Sequence, residues 1–385
     1  MLPAEKSILV SEPSSTFLDF LRGTAAIAVV AGHLRYLFFN RFEELATKPR
    51  LAKGIYFLAS FGHVSVVIFF VLSGFWISSG ILRRPLSDFD PGRYVIQRLS
   101  RLYIVLIPAL LLGVLLDGYG LHSPTLSATY LHPLPQFGDW TPNANFTFRE
   151  FFGNLFFLQV VKTQTFGSNS PLWSLSYEFW YYVLFPLNLW ALFASDRHSR
   201  LLGIGFTIAV IFLLPRIILQ YYPVWLQGVF PVYFFRNHGV SRGALSAASG
   251  TALSLFFLGL IFVCRAGYFR FGEYPVDFAI ALATLGLVTT VARTRFKSIP
   301  TGYRRFSKFL ADFSFTTYLV HMPVLVMLKA IFLPDRKLDP SLATFAYGIA
   351  ILLFTLSMTY LFSRFTENRT AEVRRYFERK FLRHT

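Results

Sequence analysis

Cysteine is all but missing from this chain, with Cys264 the single example in 385 residues. One thiol excludes an intrachain disulfide framework, a thiolate zinc site and a C-x-x-C redox pair. Charge is scarce as well. Asp, Glu, Lys and Arg make up 15% of the residues, against roughly a quarter in an ordinary soluble domain, too few to cover the surface of a water-soluble fold of this length. Acidic residues are the scarcer sign, 20 against 37 Lys and Arg, leaving a formal net charge of +17. The chain lacks an internal repeat and a separate soluble domain. After the polar opening MLPAEKSILVSEPSSTFLDF no small-residue cleavage site follows a short apolar core, so the first apolar segment is expected to be retained as its own insertion signal.

The bulk of the sequence is apolar instead. Hydrophobic residues make up 54%, and Phe alone contributes 45 residues. They fall in blocks of about twenty, the length a helix needs to cross a hydrocarbon core at ~1.5 Å per residue. The pattern predicts an all-α, polytopic membrane helix bundle with ten spans, at residues 17–39, 54–82, 95–116, 172–194, 201–220, 223–238, 245–264, 275–293, 311–333 and 342–363. The apolar block at 151–161, FFGNLFFLQVV, is short for a span and reads as interfacial or re-entrant. A basic soluble domain would suggest nucleic acid. Here the basic residues lie between apolar blocks, so membrane lipids are the expected partner and nucleic acid is not.

The distribution of Lys and Arg sets an orientation. With the N-terminus in the cytoplasm, the inner segments hold Arg83, Arg84 and Arg93, then Arg197 and Arg200, then Arg236 and Arg242, then the basic run from Arg293 through Lys297 to Lys308, and the tail from Arg364 to Arg383. The external segment 119–150 holds only Arg149; its prolines at 124, 133, 135 and 142 make it read as an irregular cap. One segment dissents. Arg41, Lys48, Arg50 and Lys53 fall outside, partly offset by Glu43 and Glu44. The expected organisation is a cytoplasmic segment at 1–16, a transmembrane domain at 17–363 and a basic cytoplasmic tail at 364–385, in the inner (plasma) membrane. The tail, EVRRYFERKFLRH, is amphipathic and suits either an anionic leaflet or a topology anchor.

Ionisable residues within apolar spans are costly, which makes each a functional candidate. In FLDFLRGTAAIAVVAGHLRYLFF, Arg22 and His33 are eleven residues apart. At about 100° per residue they share one helix face, separated by ~16 Å. An arginine at the inner mouth suits an anionic cofactor and a deep histidine suits general-base work on a hydroxyl, the bland alternative being a snorkelling Arg22 and a histidine that hydrogen-bonds a neighbouring helix. Asp19 can neutralise Arg22 from one turn away. Ser73, beside Gly74, is open to a role as nucleophile or donor or to close helix packing. Arg98 and Arg101 project from one face at the inner boundary, fit for phosphates or for topology alone. In PLWSLSYEFWYYVLFP, Trp173, Ser174, Ser176, Tyr177 and Glu178 form a polar island at an outer mouth. Glu178 needs a partner there, and a histidine from the first span would serve. Tyr318 and His321 lie in a later span, His321 open to catalysis or to a bundle hydrogen bond.

In this order the pieces resemble the acyltransferase-3 family of bacterial integral membrane proteins. The matching residues are LDFLRG with R-x10-H (Arg22, His33), FFVLSGF (Phe69 to Phe75), RLSR (Arg98, Arg101), WSLSYE (Trp173 to Glu178) and YLVH (Tyr318 to His321). The resemblance runs from about residue 16 to 367. It implies O-acylation, most often O-acetylation, of extracytoplasmic carbohydrate such as lipopolysaccharide, exopolysaccharide or lipo-oligosaccharide. It also implies acyl-coenzyme A, usually acetyl-coenzyme A, as donor substrate, with no permanently bound cofactor or metal. Arg22, Arg98 and Arg101 would lie near the donor's phosphates, and His33 would be the catalytic histidine, supported by Glu178. The fused extracellular SGNH-type hydrolase domain of one branch is missing, so the expectation is a stand-alone membrane domain. A secondary transporter or glycolipid flippase is the competing class, though related halves are not visible here. A membrane scaffold would leave the arginine and histidine on one face unexplained.

Overall fold

The structure, a computed structural model, describes residues 10–83, 85–132, 141–238, 244–267, 273–296, 298–334 and 336–382. Arg84, Pro133, Pro135, Arg242, Lys297, Arg383 and the first nine residues lie outside the described residues. Among the described residues the regular structure is helical, with no β-strand. Among them, seven stretches are long and apolar enough to cross a membrane: Glu12–Phe38, Arg50–Leu82, Pro91–His122, Ala247–Ala266, Glu273–Arg293, Ser314–Phe332 and Leu342–Phe381. The chain is an all-α polytopic membrane protein.

The sequence boundaries shift where backbone chemistry intervenes. Helix α1 runs over Glu12–Phe38, and the predicted second span is two helices, α2 (Arg50–Ala59) and α3 (Gly62–Leu82). Helix α4 (Pro91–His122) begins on the N-cap Asp90, whose carboxylate accepts from Arg93 N at 2.9 Å. It continues past the expected end at 116 and so takes Asp117 into the helix. Helices α5 (Ser127–Leu131) and α6 (Phe148–Leu155) are short, and α6 holds only part of the 151–161 block. Helix α7 (Trp173–Phe193) is followed by α8 (Arg197–Leu213). The chain then breaks at Leu214 and Pro215, not between 220 and 223 as the apolar pattern suggested. Proline has no N–H and pushes the preceding residue out of the helical region, and Leu214 is extended at φ −87°, ψ 138°. Two short helices, α9 (Arg216–Leu226) and α10 (Val229–His238), take the place of the single span expected at 223–238. Then come α11 (Ala247–Ala266), α12 (Glu273–Arg293), α13 (Thr301–Asp312), α14 (Ser314–Phe332), α15 (Leu342–Phe365) and α16 (Thr370–Phe381).

The helices fall into two compact units. The first comprises residues 1–25, 64–89 and 181–311. There α11 packs along α12, and α3 crosses the joint between α9 and α10 at backbone contact. A Cβ on Gly74 would sit 2.2 Å from Trp225 O, and one on Gly228 would sit 1.9 Å from Val71 O. Only glycine lets the two backbones approach so closely. Phe206 and Phe212 of α8 and Leu255 and Phe256 of α11 are exposed, as on helices whose outer face meets lipid.

The second unit comprises residues 26–63, 90–180 and 312–385. Its centre is α14, buried along nearly its whole length and packed against α4, α5 and α15. An all-round buried helix carries few polar side chains without a purpose. This one carries Tyr318 and His321.

Candidate active site

The second unit brings His33 of α1 and His321 of α14 together. Nδ1 of His33 lies 2.8 Å from Nε2 of His321, and the ring planes are inclined by only 14°. The other nitrogen of His321, Nδ1, is 2.9 Å from the carbonyl oxygen of Thr317, one turn earlier on α14. A carbonyl can only accept, so His321 Nδ1 carries a hydrogen. In the neutral ring Nε2 is then the acceptor. His33 Nδ1 must therefore donate to it, and Nε2 of His33 is the nitrogen with a lone pair for a proton. The helix backbone thus sets the tautomer of one histidine and, through it, of the next. The Thr317 hydroxyl bonds that of Thr359 at 3.0 Å, pinning this turn of α14 to α15.

Beside this pair, the polar island at the start of α7 is built into the same unit. Ser174 Oγ and Tyr318 Oη are 2.6 Å apart, and Tyr318 also donates to Pro171 O at 3.3 Å. Asn169 Nδ2 donates to Leu319 O at 2.8 Å, a second tie between the approach to α7 and α14. Glu178 lies on the same helix, about one turn after Ser174. Ser176 and Trp180 have a different duty: Ser176 Oγ at 2.8 Å and Trp180 Nε1 at 3.0 Å both donate to the carbonyl of Phe157. Phe157 has φ +58°, and its buried ring stacks on Phe179 with centroids 4.2 Å apart. A bulky residue in the left-handed region is strained and persists only where its surroundings hold it. Trp173 packs edge-on against Tyr177 at 5.1 Å.

The donor-side candidates are engaged within their own units. Arg101 lies 3.8 Å from the carboxylate of Glu367 and 5.3 Å from the Phe315 ring centroid. Glu367 is buried and accepts from the backbone N and the hydroxyl of Thr316 at 2.8 and 3.0 Å. Arg98 stands over the Tyr94 ring at 5.8 Å. Where α16 meets the first turn of α4, a cleft of about 530 Å³ is lined by Arg93, Glu372, Arg375, Glu378, Arg379 and Leu382. In the first unit, Arg22 pairs with Asp19 at 3.4 Å and donates to Ala311 O at 3.3 Å. Ser73 accepts from Trp225 Nε1 at 3.2 Å and donates to Tyr182 Oη at 3.3 Å.

Residues that sequence reasoning passed over hold these parts in place. Asp117, fully buried, accepts from the backbone N and the hydroxyl of Ser168, each at 2.7 Å. The neighbouring Gly167, at φ +55°, leaves no room for a Cβ, which would fall 2.1 Å from that carboxylate. Asn154 donates to Glu150 O and Gln164 O at 2.7 Å and accepts from Phe166 N at 3.2 Å. A carboxylate in the run VLIPALLLGVLLDGYGL was a visible signal for Asp117; Glu367, just after a span, offered none of comparable strength.

No curated protein and no solved structure matches the chain. The family model described as an acyltransferase domain matches residues 15–364, and with its polar motifs in that family's order the chain belongs to the acyltransferase-3 family.

Proposed function

We propose that this membrane acyltransferase transfers an acetyl or other short acyl group from acyl-coenzyme A to a hydroxyl of extracytoplasmic carbohydrate, with His33 as the general base. The observation that carries this reading is the chain from the Thr317 carbonyl through His321 to His33, which leaves Nε2 of His33 as the proton acceptor. The acceptor hydroxyl gives its proton to that nitrogen while its oxygen attacks the thioester carbonyl carbon. A C–O bond forms, the C–S bond breaks, and the departing coenzyme A thiolate takes the proton back from the imidazolium. His321 accepts the Nδ1 hydrogen throughout and so steadies the positive charge on His33.

The donor would approach from the cytoplasmic side, its phosphates held by Arg98 and Arg101 and by the arginines of the neighbouring cleft, Arg93, Arg375 and Arg379. Glu367 would release Arg101 in part when phosphate binds. Arg22, on the same helix as His33, is assigned to the donor as well. Both termini are assigned to the cytoplasm and the protein to the inner membrane, on the distribution of Lys and Arg. Water exclusion by the surrounding helices would limit hydrolysis of the thioester.

Purified protein given acetyl-coenzyme A labelled in the acetyl group, with cell-envelope glycan as acceptor, should label the glycan and release one thiol per acetyl transferred. Thiol release with no labelled carbohydrate would refute the acceptor class. Neither product, from folded protein, would refute the donor.

A further inference from the structure

Arg41, Lys48, Arg50 and Lys53 run against the charge distribution that otherwise orients the chain, so topology does not account for them. In the second unit this segment meets the end of α1 and the chain before α15. Asn40 N donates to Leu338 O at 3.1 Å, and Leu338 N donates to Phe38 O at 2.8 Å. Asn40 Nδ2 donates to Asp339 at 2.8 Å, and Tyr56 Oη donates to the Asn40 carbonyl, also at 2.8 Å.

That scaffold crowds cations together. The Arg35 guanidinium lies 3.9 Å from the Tyr36 ring centroid and 5.4 Å from that of Tyr56, and its Nε is buried with no hydrogen-bond partner. Lys337 is half-buried, and that burial, with the nearby Arg41 and Arg35, pushes its ammonium below the ordinary lysine value, Glu44 opposing. Among the described residues neither Arg35 nor Lys337 has a carboxylate at ion-pair distance; Arg41 has Glu44 at 3.9 Å, both of them largely exposed. The carboxylates of this neighbourhood, Glu43, Glu44 and Asp339, are exposed, unlike the buried Glu367 that answers Arg101. Concentrated positive charge costs energy that a bound anion relieves.

Tyr36, over whose ring Arg35 lies, is near the candidate base. Tyr36 follows His33 by three residues, so it lies about one turn further along a neighbouring face of the same helix, and it is 40% exposed. A tyrosine there offers a flat apolar face with a polar tip, beside guanidinium and ammonium groups that grip carboxylate or phosphate.

We infer that this lip selects an acceptor glycan carrying a negative charge, its carboxylate or phosphate held by Arg35, Arg41 and Lys337 and its ring against Tyr36, so that a hydroxyl of the same glycan reaches His33. Its purpose rests on the acyl-transfer reading of His33; the binding itself does not.

The test uses full-length protein in phosphatidylcholine nanodiscs, titrated with tetragalacturonate and with its carboxyl-reduced, neutral counterpart. Wild type should bind the carboxylated probe about tenfold or more tightly at low salt. The double variant Arg41→Gln with Lys337→Gln should lose most of that preference, while Lys337→Arg, which keeps the charge, should retain it. Equal affinity for the two probes, or an undiminished preference in the double variant, overturns the inference. A response to phosphatidylglycerol in the nanodisc with none to tetragalacturonate also overturns it, by assigning the lip to lipid headgroups. Thiol release from acetyl-coenzyme A is followed in the same preparation. Its absence would count against acyl transfer, and the charge preference would still be decided by binding.

Discussion

A neutral imidazole accepts a proton at only one of its nitrogens, so the partner of the other nitrogen decides which one. For His33 that partner is His321, itself set by the Thr317 carbonyl. The arrangement predicts graded losses. His33→Ala should reduce turnover by roughly 10² to 10⁴-fold, the range for loss of a general base. His321→Ala should lower turnover by a smaller factor with the Michaelis constant for acetyl-coenzyme A little changed, because it removes orientation and leaves the base. His321→Gln should recover much of that loss, since an amide can donate to Thr317 and still accept from His33. If His321→Ala matches wild type per folded molecule, or Gln rescues no better than Ala, His321 has no positioning role. The sequence marked both histidines as candidates but gave no reason to join them. They are 288 positions apart, and the group that orients the pair is a backbone carbonyl, which any residue type supplies. Glu178, expected to support His33, stands in the polar island about one turn after Ser174, whose hydroxyl bonds that of Tyr318.

Apolar length and composition made the long helices legible, and α1, α4, α12 and α15 lie close to where the sequence puts them. Interruptions were harder to read when their cause sits on another element. The proline at 215 was in plain view, yet the apolar run continues through it. The joint between α9 and α10 depends on the backbone of α3, where Gly228 meets Val71 O and Gly74 meets Trp225 O. Periodicity within one helix carries no record of such a crossing. Gly228→Ala should therefore be costly, because the added methyl meets backbone that cannot turn aside. Overpacking of this kind typically costs about 1–3 kcal/mol, occasionally more. Gly80→Ala is the matched control on α3, with nothing within 4 Å of the added Cβ. It should be neutral or slightly stabilising through helix propensity. Thermal denaturation in detergent should show a lowered midpoint for Gly228→Ala alone; equal midpoints for the two variants would mean that the crossing is looser than its geometry.

At the scale of the molecule, seven stretches among the described residues are long and apolar enough to cross, whereas the charge distribution asks for an even number with both ends inside. The difference lies between residues 173 and 238. Helix α7 has 21 residues, long enough to cross, but its Trp and Tyr content dilutes its hydropathy. Helix α8 has 17, at the lower limit of spanning length, and α9 with α10 would cover one further crossing in two pieces. A broken helix at membrane depth is tolerable where neighbouring protein covers the freed backbone groups, which is the setting at Gln227 and Gly228. Adding these three to the seven makes ten. Reporter fusions should then find residues 123–131 and 141–147 outside, the 194–196 connection inside and the tail after Phe365 inside. Because α16 packs on the first turn of α4, a tail found outside would take that cleft, Arg98 and Arg101 with it, away from the compartment that holds coenzyme A. A connection at 194–196 found outside would instead put the error in α7, leaving the 90–122 segment and its arginines where the donor needs them.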